Sequence, residues 1–293
     1  VGDIDKKAPY RPEAGELKFE AQTKAQFIAQ VRDARQRLDD LVARFDDSKM
    51  VQPVYETGWS VKDVAAHLLG VEIGNLSRRR DAHSMEAVIR TYDDLVGLIN
   101  DWNEEWVRAA AFLSPPLLID FLRLAGGQMN AYFRALDPHA LGGAVSWVGP
   151  EPAPVWLDLA REYTERWHHQ QHIREAVEKP GFTQPRFFAP VLAAFARALP
   201  RALAPAAAPD GASVTLTITG GSGGRWTAVR EAGAWVLYAG APESPTAEVT
   251  LDQDVAWRLF THSDEAERLR EQAVVKGDQA LGERVLAMVS IIA

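Results

Sequence analysis

The spacing of apolar residues changes once along this chain, and that change constrains the fold more than any other feature. In the first part they recur at three- and four-residue steps, the period of an α-helix; from Ser213 they alternate with polar residues, the period of a strand. Phe27, Val31, Leu38, Leu41, Val42 and Phe45 make the first helical stripe, in a helix starting near Ala21. In GWSVKDVAAHLL, Ser60 is placed to cap a second helix, with Asp63 three residues on and Trp59 and Val64 positioned as a hydrophobic staple. Helical segments over 91–113 and 115–136 follow, divided by Ser114, Pro115 and Pro116. A loop over 137–154 leads to a fifth helix over 155–177, which Pro180 and Gly181 stop. Long helices joined by short breaks predict an up-and-down bundle.

Beyond the bundle, 186–203 reads as another apolar helix and APAAAPDGA as a spacer. SVTLTIT, RWTAVR, AWVLYAG and TAEVTL are short strands, and helices are expected over 252–261, 264–272 and 279–291. GGSGG, at 220–224, precedes a strand rather than a helix N-terminus, so it reads as a hairpin turn and not as a phosphate loop. The expected fold class is α+β overall: an N-terminal up-and-down helical bundle followed by a smaller α+β domain with an antiparallel sheet. The opening VGDIDKKAPYRPEAG lacks periodicity and reads as a loosely held arm.

A length of 293 residues, 47% of them hydrophobic, suits two cores. The formal charge of -8 argues against a nucleic-acid partner, whose phosphates require clustered Lys and Arg. Apolar runs stop short of the roughly 18–20 residues that span a bilayer, so no membrane partner and a cytoplasmic location are expected. Zero cysteines exclude thiolate metal ligands and a protein thiol nucleophile, so any thiol chemistry must use a thiol from outside. This balance sets no oligomeric state.

ERWHHQQHIREA, residues 165–176, concentrates three of the seven histidines. On a helix Glu165, His169 and His172 lie at i, i+4 and i+7 and project from one face, with Asp158, Arg161 and Glu162 above them. Two readings fit. The face is solvated, opposite Trp156, Leu159, Tyr163 and Trp167, or it is one side of a metal site. His168 lies about 100° from His169 and reads as a neighbour of such a site rather than a ligand of it, with an exchange of roles between the two left open. His67 shares its helix face with Val64, Gly70, Val71 and Gly74, which points it into the bundle, where it needs a polar partner. A backbone carbonyl or a metal ion would both serve.

W-S-V-K-D-V-A-A-H-L-L on the second helix and E-R-W-H-H-Q-Q-H-I-R-E-A on the fifth resemble the DinB-like metal-binding domain of mycothiol-dependent maleylpyruvate isomerases. V-K-G-D-Q-A-L-G-E-R-V-L near the end is similar to that family's sterol-carrier-protein-like C-terminal domain. The resemblance implies a DinB-like bundle over 16–181 and a sterol-carrier-like α+β domain over 185–293. It implies His67, Glu165 and His169 as metal ligands, a divalent ion with zinc the first choice, and mycothiol or another small thiol. His172 stands where the family often has an aspartate, as a further ligand or a proton carrier. Arg258, in AWRLFTHSDEA, lies where a C-terminal arginine serves the family's site, but the local motif does not match cleanly and that role is left unassigned.

Two imidazoles and a carboxylate leave one position open on zinc, and a thiol bound there loses its proton and can attack an electrophilic carbon. The expected function is metal-dependent activation of a low-molecular-weight thiol for isomerisation or S-transfer on a small electrophilic substrate. The alternatives are a thiol-independent metal hydrolase or lyase, and a non-catalytic small-molecule or lipid binder with a structural metal. His172, Arg174 and Glu162 are candidates for substrate binding or proton transfer, each equally readable as a surface charge. Gly126 and Gly127, inside a predicted helix, read as close packing rather than room for a ligand.

Overall fold

A computed structural model describes residues 24–54, 58–83, 91–261 and 265–290. The expected N-terminal arm lies outside them. In chain order the elements are α1 (Lys24–Val42), α2 (Asp47–Met50), α3 (Val61–Asn75), α4 (Tyr92–Ala110), α5 (Pro115–Ala135), β1 (Leu141–Ala144), β2 (Pro152–Pro154), α6 (Val155–Ala176), α7 (Pro185–Phe195) and α8 (Leu199–Leu203). The remainder comprises β3 (Ser213–Thr219), β4 (Gly224–Glu231), β5 (Ala234–Ala239), β6 (Ala247–Asp252), α9 (Gln253–Phe260), α10 (Ala266–Arg270), β7 (Val274–Gly277) and α11 (Gln279–Leu286). Two compact units result: Ala25–Leu136 with Arg166–Phe182, and Asp137–Glu165 with the chain from Thr183 onward. The segment 137–165, grouped with the bundle by its sequence pattern, clusters with the second unit.

In the helical unit the expected cap of α3 is present as a reciprocal pair. Ser60 Oγ accepts from the Asp63 amide (3.3 Å), and Asp63 Oδ2 accepts from the Ser60 amide (3.0 Å). Thr91 and Asp94 repeat the device at the start of α4. α3 is apolar around most of its circumference, and Val61, Val64, Leu68 and Leu69 share one core with Leu38, Val42, Leu118, Leu122 and Ile173. Gly70 lets the helices approach: a Cβ there would lie 2.5 Å from Trp106 Cδ1, and Trp106 Nε1 donates to the Ala66 carbonyl (2.7 Å).

Among the described residues, four charged side chains lie inside this unit. Arg35 Nη2 reaches both oxygens of Glu72 (2.7 and 2.8 Å) and donates to the Leu122 carbonyl (3.2 Å), while Arg166 Nε donates to Glu72 Oε1 (3.1 Å). Asp39 is buried beside them; loss of hydration raises its pKa to about 6, against the pull of Arg35. The Arg35 guanidinium occupies the volume that a side chain at Gly126 would take, whereas Gly127 faces open space. The paired glycines therefore divide: Gly126 serves packing, as expected, and Gly127 does not.

In the second unit the strand order is β5-β4-β3-β6-β7. The expected antiparallel pairing is present between β3 and β4, β4 and β5, and β6 and β7, with one parallel seam between β3 and β6. Tight turns wind β3, β4 and β5 outward, so the chain returns to the free edge of β3 running parallel to it. Ile218 pairs with Gly224, so GGSGG is the hairpin turn it was read as. β3 is covered on both faces. Its buried Thr215 hydroxyl bonds Thr227 Oγ1 (2.9 Å), which donates to the Gly240 carbonyl (2.7 Å), leaving neither hydroxyl unsatisfied. β7, four residues long, has no alternation to announce it. Gly277 at its end has φ +79°, Asp278 caps α11 through the Leu281 amide (3.1 Å), and Gly282 makes room for Val275. The single helix expected over 186–203 is interrupted by a 3-10 turn at Ala196–Ala198, because Pro200 lacks the N–H that would bond the Ala196 carbonyl. No helix among the described residues is long and apolar enough to cross a membrane.

Candidate metal centre

α6 carries most of the candidate site, and its surroundings overturn the solvated-face reading. The aromatic side is buried at Trp156, Tyr163 and Trp167, and so is the polar side at Glu162, His168, Gln170, Gln171 and His172. Burial of that many polar groups requires partners. Trp167 Nε1 donates to the Phe182 carbonyl (2.8 Å), Gln171 Oε1 accepts from the Phe182 amide (2.9 Å), and Gln170 Nε2 donates to the Ala34 carbonyl (3.4 Å). Arg166 binds Glu72, which is 1% exposed on α3. That ion pair fixes the rotation of α6 against α3.

With α6 so oriented, His169 faces His67 across the helix pair, their ring centroids 4.8 Å apart. Trp59 flanks His67 on another side at 5.2 Å. Glu165 precedes His169 by one turn of the same continuous helix, and one ligand atom from each of His67, Glu165 and His169 lies within 4.8 Å of the other two. A tetrahedral zinc ion with bonds of about 2.0–2.1 Å sets its donors roughly 3.4 Å apart. Side-chain adjustment of about an ångström would close the set, and two nitrogens with one carboxylate oxygen suit zinc. His67 is 5% exposed, while Glu165 and His169 are half-buried.

The other candidates fall in different places. His172 packs against His168 and His169, with centroids at 4.2 and 5.5 Å. Glu162 is bound by Arg161 (2.8 Å). Arg174 donates to the Pro180 carbonyl (3.0 Å) and stacks over Phe182, with its charged form disfavoured by burial and by nearby Arg37. Arg258 stacks on Trp257 in α9. His168, set aside because of its angle from His169 alone, is buried within the histidine cluster; relative to Glu165 and His172 it sits at i+3 and i−4, on the same stripe. Glu72 was also missed, although a lone carboxylate in the apolar run VAAHLLGVEIGN demands a buried partner.

Residues 31–174, nearly half of the chain, match the model of the mycothiol maleylpyruvate isomerase N-terminal domain. This segment belongs to that family. The matched segment contains both α3 with His67 and the stretch of α6 with Glu165 and His169. The isomerase family's fold extends further along the chain. A crystal structure of the mycothiol-dependent maleylpyruvate isomerase superposes with TM-score 0.51 at 13% identity, over 89% of this chain and 96% of that one. A crystal structure of a histidine-to-alanine mutant of that isomerase gives TM-score 0.51 at 12% identity, with the same coverage. At these identities the likeness is one of fold. No curated protein matches the sequence.

Proposed function

We propose that the chain is a metal-dependent enzyme that activates a low-molecular-weight thiol, mycothiol or a close analogue, for isomerisation or S-transfer on a small electrophilic substrate. The observation that carries this reading is the convergence of His67, Glu165 and His169 donor atoms within 4.8 Å in a member of the isomerase N-terminal domain family. In this reading the three residues hold a divalent ion, zinc first. Such an ion supplies a Lewis acid with an open position that favours the deprotonated form of an incoming thiol. The chain's own residues supply position. Burial and the Trp59 ring restrict His67, one helical turn sets Glu165 against His169, and the Arg166–Glu72 pair holds α6 to α3. His172, whose ring centroid lies 5.5 Å from that of His169, is the group we assign to carry a proton. We retain 16–181 as the metal-binding domain and 185–293 as a sterol-carrier-like domain. We also retain a cytoplasmic setting, where small thiols are kept reduced.

Two measurements test this. Metal analysis should find one divalent ion per chain, lost in His67→Ala and in Glu165→Ala with helical circular dichroism preserved; stoichiometric metal in both variants sinks the ligand set. Cobalt-substituted protein should gain intense near-ultraviolet absorption on adding mycothiol. An unchanged spectrum, with metal-dependent turnover of a non-thiol substrate, would install the hydrolase or lyase reading. Metal retained without turnover, together with co-purifying lipid, would install the carrier reading.

A further inference from the structure

Glu165, His168, His169 and His172 occupy i, i+3, i+4 and i+7 of α6, a stripe within one helix face. Their donor atoms divide into two three-residue sets that share His169: one with His67 and Glu165, the other with His168 and His172. We propose that His168, His169 and His172 form a second, all-nitrogen seat for a borderline divalent transition ion such as Cu(II), Ni(II) or Zn(II).

Three features carry this. The donor atoms of the three imidazoles lie within 4.8 Å of one another, the same convergence as in the first set. His168 and His172 stand one turn apart with ring centroids 4.2 Å from each other, so the helix backbone itself sets their spacing, and no residue from another element is needed. Both are buried, at 3% and 6% exposure, which limits competition from water and from hard, oxygen-seeking ions. Ligand type then separates the seats. The first contains a carboxylate and accepts a wider range of ions; the second offers only imidazole, which suits Cu, Ni and Zn and disfavours Mg, Ca and Mn. Because His169 belongs to both sets, an ion with three protein ligands in one seat deprives the other of its third. Occupation of one seat therefore excludes three-ligand occupation of the other. The inference goes beyond the proposed activity and does not depend on it.

The test uses Cu(II), read by equilibrium dialysis and by nitrogen superhyperfine splitting in electron paramagnetic resonance. The His67→Ala/Glu165→Gln chain, which has lost two ligands of the first set, should bind one Cu(II) per chain with a three-nitrogen pattern. Adding His168→Ala or His172→Ala should reduce the pattern to two nitrogens and weaken binding about tenfold or more. The seat is refuted if the His67→Ala/Glu165→Gln chain keeps its helical circular dichroism but binds no stoichiometric Cu(II). It is equally refuted if the nitrogen count survives both histidine substitutions. A second measurement asks whether the seats are distinct: His168→Ala/His172→Ala, with the first set intact, should retain zinc, and loss of zinc there would make these histidines ligands of the first seat. A three-nitrogen signal in a chain without thiol-dependent turnover would uphold the seat and remove only the proposed activity.

Discussion

Replacing Gly126 with alanine should destabilise the helical unit, although glycine-to-alanine changes inside helices ordinarily stabilise. The added methyl group falls within the Arg35 guanidinium, which must withdraw from the Leu122 carbonyl and from Glu72. Removing one partner of a buried ion pair costs roughly 3–5 kcal/mol. Glu72 keeps Arg166 at 3.1 Å, which places the loss near the low end, about 3 kcal/mol. Helix propensity returns about 1 kcal/mol, for a net loss of about 2 kcal/mol. Gly127→Ala is the internal control. It is exposed, has nothing within 4 Å of the added carbon, and should gain about 1 kcal/mol. Thermal unfolding of the pair should show midpoints moving in opposite directions, with Gly126→Ala lower by roughly 4–8 °C for a chain of this size. An Arg35→Ala background should abolish the penalty at Gly126. A penalty that persists there, or equal midpoints for the two glycine variants, would refute the contact as its cause.

Asp39→Asn tests the buried carboxylate by pH. The folded chain holds the Asp39 proton up to about pH 6 and the unfolded chain only to about 4, so stability falls as pH rises through that interval. The asparagine variant should gain on the parent between those values, by up to about 3 kcal/mol above pH 6, with no gain below pH 4; urea titrations at pH 4 and pH 8 that show the same difference would reject this. Arg166→Met removes no proposed ligand but loosens α6 on α3, so zinc affinity should fall about 10- to 100-fold while circular dichroism is preserved; unchanged affinity would deny Arg166 a positioning role. Gly70→Ala drives a methyl group into the Trp106 indole and should lower the unfolding midpoint and shift tryptophan fluorescence, and an unperturbed spectrum would contradict that packing.

What the sequence made legible was local. The Ser60–Asp63 cap, the stripe of α1, the alternation of β3 and the GGSGG turn each express a rule confined to a few neighbouring residues. The Glu165-x-x-x-His169 pair was visible for the same reason, because one turn of helix fixes it. His168 was equally visible in principle, but one angle measured from His169 hid its place on a stripe of four. Other features depend on residues far apart in the chain. Nothing around Gly126 announces that Arg35 fills its volume, and nothing in VVKG shows that β6 offers it an edge. The polar side of α6 reads equally as a solvated surface or as one side of a metal site, because periodicity distinguishes faces without saying what covers them. Glu72 and Arg166 show the same gap, since each charge looks misplaced until the other is seen.

The parallel seam between β3 and β6 also has a kinetic consequence. β3, β4 and β5 are joined by short turns and can pair within microseconds, whereas Val214 meets Ala247 only after the intervening chain has closed a much longer loop. The meander therefore offers the earlier nucleus, with β6 and its partner β7 docking afterward. Destabilising substitutions in the β3–β4 hairpin should then slow refolding, while those at Val249 or Val275 should chiefly hasten unfolding. The lifetime of the native sheet would be governed at its last-formed seam.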